Sequence, residues 1–208
     1  MDTIKEKRPR GRPRGTAKGD TIHPLTEEEL ARFFRVARRR RKDLLLFNLT
    51  LFFGLRSAEV AALRLEDFDR ANLEITVAAK KRGRKRTYCA EEVPGDIWRQ
   101  WRAYMKVRKA HPMNPYLFPA RLDPLGPMAP ISVQCTFKAI CRKAGISNHS
   151  VHDLRHTCGQ RLARMNFSAT RISRWLRQKS SQSAEVYITL EEDKELGRHA
   201  AEAMPIYS

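Results

Sequence analysis

His152-Asp153-Leu154-Arg155-His156-Thr157 is the stretch that decides how the rest of the chain reads. It lies in a helical pattern expected at about 150–165, and residues three and four apart on a helix are neighbours, so His152, Arg155 and His156 share one face. Two imidazoles and a guanidinium together make a surface suited to an anion. Two histidines at this spacing are also half of a metal site, but the zinc-peptidase pattern places Glu second, where this chain has Asp153. No third ligand is apparent in the sequence, so neither a metal nor another cofactor is expected.

Working outward from that helix, two further segments stand out. Upstream, residues 43–53 are mostly apolar, the signature of a buried helix, and Gly54 breaks it. Gly54-Leu55-Arg56-Ser57-Ala58-Glu59-Val60 then sets Arg56 at the start of the next helix, with Glu59 placed to pair with it or brace the local backbone. Downstream, Tyr187 lies 32 residues beyond Arg155, at the end of a short helix expected at 181–188.

Between these segments, Leu73-Glu74-Ile75-Thr76-Val77 alternates as a half-buried strand, Lys80 to Arg86 is a basic turn with one glycine, and Thr87 to Val93 reads as the returning strand. Thr26 followed by Glu29 is a capping box opening the first helix, whose apolar stripe is Leu30, Phe33, Phe34 and Ala37. Further helices are expected at about 97–107, 132–144 and 168–176, with a charged amphipathic segment at 190–203. Residues 111–130 hold six of the eleven prolines and read as an irregular loop. The fold class is therefore mainly α with one small antiparallel β-sheet.

The charge names the partner. Forty-one Lys and Arg against 23 Asp and Glu leave +18, a self-repulsion that a polyanion, by default nucleic acid, would relieve. Residues 1–22 hold seven of those cations with two prolines and three glycines, too little apolar surface to order the segment on its own. Within it, Arg8-Pro9-Arg10-Gly11-Arg12-Pro13 resembles the AT-hook, in which an extended Arg-Gly-Arg core lies in an A·T-rich minor groove. Arg8, Arg10 and Arg12 would be its contacts; a basic solubilising tail is the plainer reading. No run of about 18 apolar residues is present, so no membrane span is expected. Four scattered cysteines without C-x-x-C spacing read as reduced, buried thiols of a cytoplasmic, nucleoid-associated protein.

A phosphodiester resists cleavage because its charge repels nucleophiles and grows on the equatorial oxygens in the transition state. Without a metal, fixed cations, a nucleophile and an acid for the departing oxygen are needed. The ordered motifs Gly-Leu-Arg-x-x-Glu at 54–59, a basic hairpin at 80–86, His-x-x-Arg-His at 152–156 and Tyr187 make the chain resemble the catalytic domain of the tyrosine recombinases, the phage-integrase family, over about residues 25–190. The resemblance implies that Arg56 and Arg155 clamp the scissile phosphate, that His152 donates a hydrogen bond to it, and that His156 supports the site. It implies Lys80 as the acid for the 5′-oxygen, with Lys81 a rival, Lys85 a weaker one, and Arg84 beside them a DNA contact. Tyr187 would attack phosphorus to give a 3′-phosphotyrosine, so that rejoining needs no ATP. Double-stranded DNA, a homotetramer on two DNA sites and accessory DNA-bending proteins are the implied partners.

The chain departs from the family's pattern in two places. The family's Leu-Gly-His-type turn reads Leu176-Arg177-Gln178 here, so Gln178 stands where a histidine is usual and offers a neutral donor in place of a proton carrier. Arg177 or Lys179 is expected to compensate in part. The folded region beginning near residue 25 also leaves no room for the usual N-terminal DNA clamp, so the chain resembles short members such as the fimbrial-switch invertases. Residues 1–22 thus read as a DNA-binding tail, 23–190 as the catalytic domain, and 191–208 as a helical segment expected to dock into a neighbouring subunit. A catalytically weak, DNA-binding relative is the second reading, and a nucleoid-type architectural protein the third.

Overall fold

The computed structural model describes residues 23–78, 85–178 and 180–203, with side chains up to residue 192. Helix α1 (Glu27–Ala37) starts at the expected capping box: the Glu29 N–H donates to Thr26 Oγ at 3.1 Å, and the Thr26 N–H donates to the Glu29 carboxylate at 2.9 Å. Its buried face of Leu30, Phe33 and Ala37 turns toward α2 (Arg41–Phe53), which buries Leu45, Leu46, Phe47, Leu49, Leu51 and Phe53. Apolar residues on every side of α2 place it at the centre of the molecule. The Phe33 ring meets Phe47 at 5.2 Å and Phe137 of α5 (Pro130–Ala144) at 5.1 Å, joining three helices at one aromatic cluster.

Gly54 ends α2 in the left-handed region at φ 59°. Any Cβ there would also collide with Leu176, so both backbone and packing demand glycine. The short α3 (Ser57–Ala61) follows, then an antiparallel sheet in the order β1 (Phe68–Asp69), β2 (Glu74–Val77), β3 (Arg86–Tyr88). Ile75 pairs with both Phe68 and Tyr88, so the apolar face of the sheet is continuous and buried. The returning strand is shorter than the 87–93 expected. Glu92 ends it by accepting the Cys89 N–H at 3.1 Å, which folds residues 90–92 into a 3-10 turn.

Helix α4 (Gly95–Met105) buries Ile97, Trp98, Trp101 and Tyr104. The proline-rich segment after it is irregular, as expected, but pinned. Arg108 donates to the carbonyls of Leu117, Asn114 and Tyr116, and the buried Asn114 amide reaches those of Pro124 and Gly126. Helix α6 (Val151–Arg164) is capped by Ser150, whose backbone N–H is held by Asp153 at 2.7 Å. Helix α7 (Ala169–Trp175) and α8 (Gln182–Ala203) complete the described chain.

Two expectations are corrected here. The segments at 181–188 and 190–203 form one continuous helix, so Tyr187 lies inside α8, not at the end of a short helix. No Gly or Pro interrupts residues 188–192, and Glu191 is held against α6 by Gln160 at 2.6 Å and Arg164 at 3.2 Å. Of the four free thiols, Cys141 and Cys158 are buried, whereas Cys89 is half-buried and Cys135 exposed. Among the described residues no helix is long and apolar enough to cross a membrane.

Apolar side chains gather in two clusters. The larger runs through α1, α2, α4, α5 and the sheet; the smaller consists of Cys158, Ala163, Ile172, Leu176, Ala184 and Tyr187. Arg155 bridges elements of both, donating to Gly54 O after α2 and to Leu176 O after α7.

Candidate active site

Four separate segments bring Arg56, His152, Arg155, His156, Gln178 and Tyr187 to the wall of one cleft of about 560 Å³. Arg56 arrives by capping α3. Its backbone N–H donates to Glu59 Oε2 at 3.0 Å and its guanidinium to Oε1 at 2.8 Å, leaving the side chain 45% exposed toward the cleft. Glu59 is buried behind it. Burial works to raise the Glu59 carboxyl, but the Arg56 N–H, the Arg177 charge and the Arg56 guanidinium outweigh it and hold the group below its ordinary value. Glu59 therefore both pairs with Arg56 and braces its backbone, the two options that the spacing offered.

Arg155 is 1% exposed, and its two terminal nitrogens donate to the carbonyls of Gly54 at 2.5 Å and Leu176 at 2.7 Å. Two of the five N–H donors of the guanidinium are thus given to the scaffold, which sets the plane of the fork. Burial, followed by the charge of Arg56, pulls its pKa down to about 10, so it stays cationic at neutral pH.

One turn before it, His152 lines the cleft as an exposed residue. Burial, then the charges of His156, Arg155 and Arg56, lower its pKa to about 4. At neutral pH the ring is an uncharged imidazole, able to donate a single hydrogen bond. The His156 ring stands edge-on to it at 4.7 Å between centroids.

Tyr187 is 2% exposed, in the smaller apolar cluster, with its hydroxyl 3.1 Å from His156 Nδ1. Its ring lies so close to α6 that a Cβ on Gly159 would approach it to 2.6–2.8 Å. Burial pushes the phenol above its ordinary value, against the opposing charges of Arg155 and Arg56. Gln178 is set by its own N–H, which donates to Ser173 O at 2.8 Å, and its side-chain Oε1 is buried without a hydrogen-bond partner.

Lys85 does not join this cleft. It lines an adjoining one with Arg86, Arg174 and Gln178. Lys80, Lys81 and Arg84 lie outside the described residues, as do Arg8, Arg10, Arg12 and Lys179. Arg177, expected to compensate for the missing histidine as a phosphate donor, instead turns its guanidinium inward to Glu59 and to backbone carbonyls. Sequence reasoning therefore found the residues of the cleft but missed what lies beneath them. The one available signal was an arginine where the motif calls for glycine.

Residues 23–194 match the phage integrase family, and the chain belongs to it. It is 28% identical over 165 residues to tyrosine recombinase XerA of Pyrococcus furiosus, an alignment covering 78% of this chain and 56% of that protein. The chain thus spans little more than half the length of this curated relative. Among solved structures, the crystal structure of XerA recombinase superposes with a TM-score of 0.71 at 21% identity, covering 89% of this chain and 66% of the other. The XerH site-specific recombinase bound to palindromic difH substrate, a post-cleavage complex, gives 0.70 at 19% identity, covering 86% and 53%. At these identities the likeness is one of fold: a mainly helical domain with a small antiparallel sheet.

Proposed function

We propose that the protein is a site-specific DNA recombinase that cuts and rejoins double-stranded DNA through a 3′-phosphotyrosine on Tyr187, without metal or ATP. The observation that carries this reading is the convergence of Arg56, His152, Arg155 and Tyr187 on one cleft from α3, α6 and α8. Membership of the phage integrase family supports it.

The chemistry follows from the geometry. A phosphodiester entering the cleft meets two guanidiniums whose orientations are already set, Arg56 by Glu59 and Arg155 by two carbonyls. Fixed donors do not have to reorganise as charge builds on the equatorial oxygens, the largest single source of stabilisation in such reactions. His152, neutral at pH 7, donates one hydrogen bond, and the Gln178 amide stands where the usual histidine would. The Tyr187 oxygen forms a bond to phosphorus as the bond to the 5′-oxygen breaks. The tyrosine proton passes to His156, and a lysine of the basic hairpin, Lys80 in this reading, with Lys81 and Lys85 as its rivals, protonates the leaving oxygen. Rejoining reverses each transfer.

In the same reading, Arg8, Arg10 and Arg12 hold the minor groove while Lys81, Arg84 and Lys85 contact the backbone, and the protein works as a homotetramer on two sites. The test is a suicide DNA substrate whose nick traps the covalent intermediate. Wild-type protein should form an adduct resistant to denaturation and Tyr187→Phe should form none. An adduct that persists in the variant would displace the nucleophile, and none from wild type on cognate DNA would favour a DNA-binding regulator.

A further inference from the structure

Arg177 is a buried cation whose two terminal nitrogens are held by hydrogen bonds while its Nε has no partner. It is 4% exposed, and its φ of 54° lies in the left-handed region that favours glycine. Its Nη1 donates to Tyr88 Oη at 2.5 Å and to the carbonyls of Trp175 at 3.0 Å and Phe53 at 3.1 Å. Its Nη2 reaches Glu59 Oε2 at 3.2 Å and Gly54 O at 3.5 Å. Neither member of the Arg177–Glu59 pair has a solvent-exposed side chain. A side chain that accepts backbone strain in order to bury a charge must be held by the partners it finds there.

Those partners are the supports of the cleft. Glu59 also carries Arg56: Oε2, the atom that Arg177 reaches, accepts the Arg56 backbone N–H, and Oε1 accepts its guanidinium. Gly54 O is also the anchor of Arg155. Gln178, the next residue along the chain, projects into the cleft from the turn that Arg177 pins. One buried guanidinium is therefore joined to three residues that face the phosphate, and it touches no part of the cleft's reacting centre itself.

We propose that Arg177 is a positioning residue that locks Arg56, Arg155 and Gln178 into one rigid phosphate-binding frame, in place of the glycine that the turn's geometry would otherwise favour. The proposal rests on the strand-cleavage reading above. Without Arg177, Glu59 stays buried but keeps only one of its two cations. Arg56 is then tethered to a carboxylate whose pKa has risen, and its orientation is no longer fixed from beneath.

The test compares wild type with Arg177→Gly, which suits the left-handed turn while deleting the guanidinium, and with Arg177→Lys, which keeps the charge but not the fork. In the DNA-free protein, the ¹⁵N relaxation of the Arg56 Nε–H should show a well-ordered side chain in wild type and a mobile one in both variants. On a suicide DNA substrate, Arg177→Gly should cleave about 100-fold more slowly, the scale expected when a reacting group is misplaced by about 1 Å. Its DNA affinity should change little, and its acid limb should move to higher pH. Added methylguanidinium should restore part of the rate to Arg177→Gly and none to wild type. An Arg56 Nε–H equally ordered in all three proteins would overturn the proposal, as would wild-type cleavage by Arg177→Gly. If wild type itself forms no adduct, the strand-cleavage reading fails, while the Arg56 measurement still decides the positioning role.

Discussion

The hydroxyl of Tyr187 lies 3.1 Å from His156 Nδ1, a hydrogen bond linking α8 to the helix that carries His152 and Arg155. Burial holds the phenol above its ordinary pKa, so little tyrosinate exists at neutral pH and, in the proposed strand-cleavage reading, the proton must be taken during attack. Assistance by a positioned base is worth about 10²–10⁴-fold. His156→Ala should therefore slow single-turnover cleavage about 100-fold near neutral pH. The deficit should narrow as pH rises and hydroxide takes over. A constant ratio across the pH range would show that His156 only packs.

Gln178 lines the cleft with a neutral amide, where a charged or proton-bearing ring would interact more strongly with a phosphate. Gln178→His should raise the cleavage rate by at least about tenfold, equivalent to roughly 1.4 kcal/mol of transition-state stabilisation. Rapid-quench kinetics on the suicide substrate measures this, and equal rates would mean that the amide already supplies all the stabilisation needed.

His152 has a pKa of about 4 in the folded protein, against about 6.5 for an unperturbed histidine. As pH falls between these values, the unfolded chain binds a proton that the folded one refuses. Stability should thus fall across that window, with no further loss below it. Urea midpoints at about pH 7 and about pH 5 should therefore separate further for wild type than for His152→Asn. Parallel shifts in the two proteins would refute the depressed value.

Gly159 gives the Tyr187 ring its seat on α6. Gly159→Ala should cost about 1–3 kcal/mol through overpacking and should depress cleavage more than DNA binding, because the displaced ring carries the proposed nucleophile. Calorimetry and gel-shift titration on one preparation separate the two effects. A stable variant with full cleavage would show that the ring has room to move.

Deleting residues 1–20 should weaken DNA binding and flatten its dependence on salt, by roughly 0.9 in log–log slope for each phosphate that the tail no longer neutralises. Fluorescence titrations across a salt series give the slope directly. An unchanged affinity would leave the tail no part in binding.

Much of the fold was legible because its signals are local. The Thr26–Glu29 box, the uninterrupted apolar run of α2 and the alternation of β2 are each written within a few residues of where they act. The cleft was legible through the order and spacing of its motifs around Arg56, His152, Arg155 and Tyr187. What escaped depends on residues distant in sequence meeting in space. The hydrogen bond from Tyr187 to His156 spans 31 residues, and the ion pair from Arg177 to Glu59 spans 118. The grip of Gln160 and Arg164 of α6 on Glu191 of α8, 31 and 27 residues apart, is likewise something no local pattern announces.

The smaller apolar cluster, to which Tyr187 belongs, has a thermodynamic consequence of its own. Local opening draws only on the interactions it breaks, and the free energy of such excursions ranges from near zero up to that of global unfolding. Lifting α8 alone from α6 breaks the contacts of Ala184 and Tyr187 in this cluster, while α7, pinned to the larger core through Trp175 and Arg177, and the aromatic centre around Phe33, Phe47 and Phe137 stay in place. The amides of α8 should accordingly exchange with solvent through sub-global excursions, while those of α2 wait for the whole molecule to unfold. Tyr187, the proposed nucleophile, is thus carried on a detachable helix, and its withdrawal or delivery costs a fraction of the stability of the domain that holds Arg56 and Arg155.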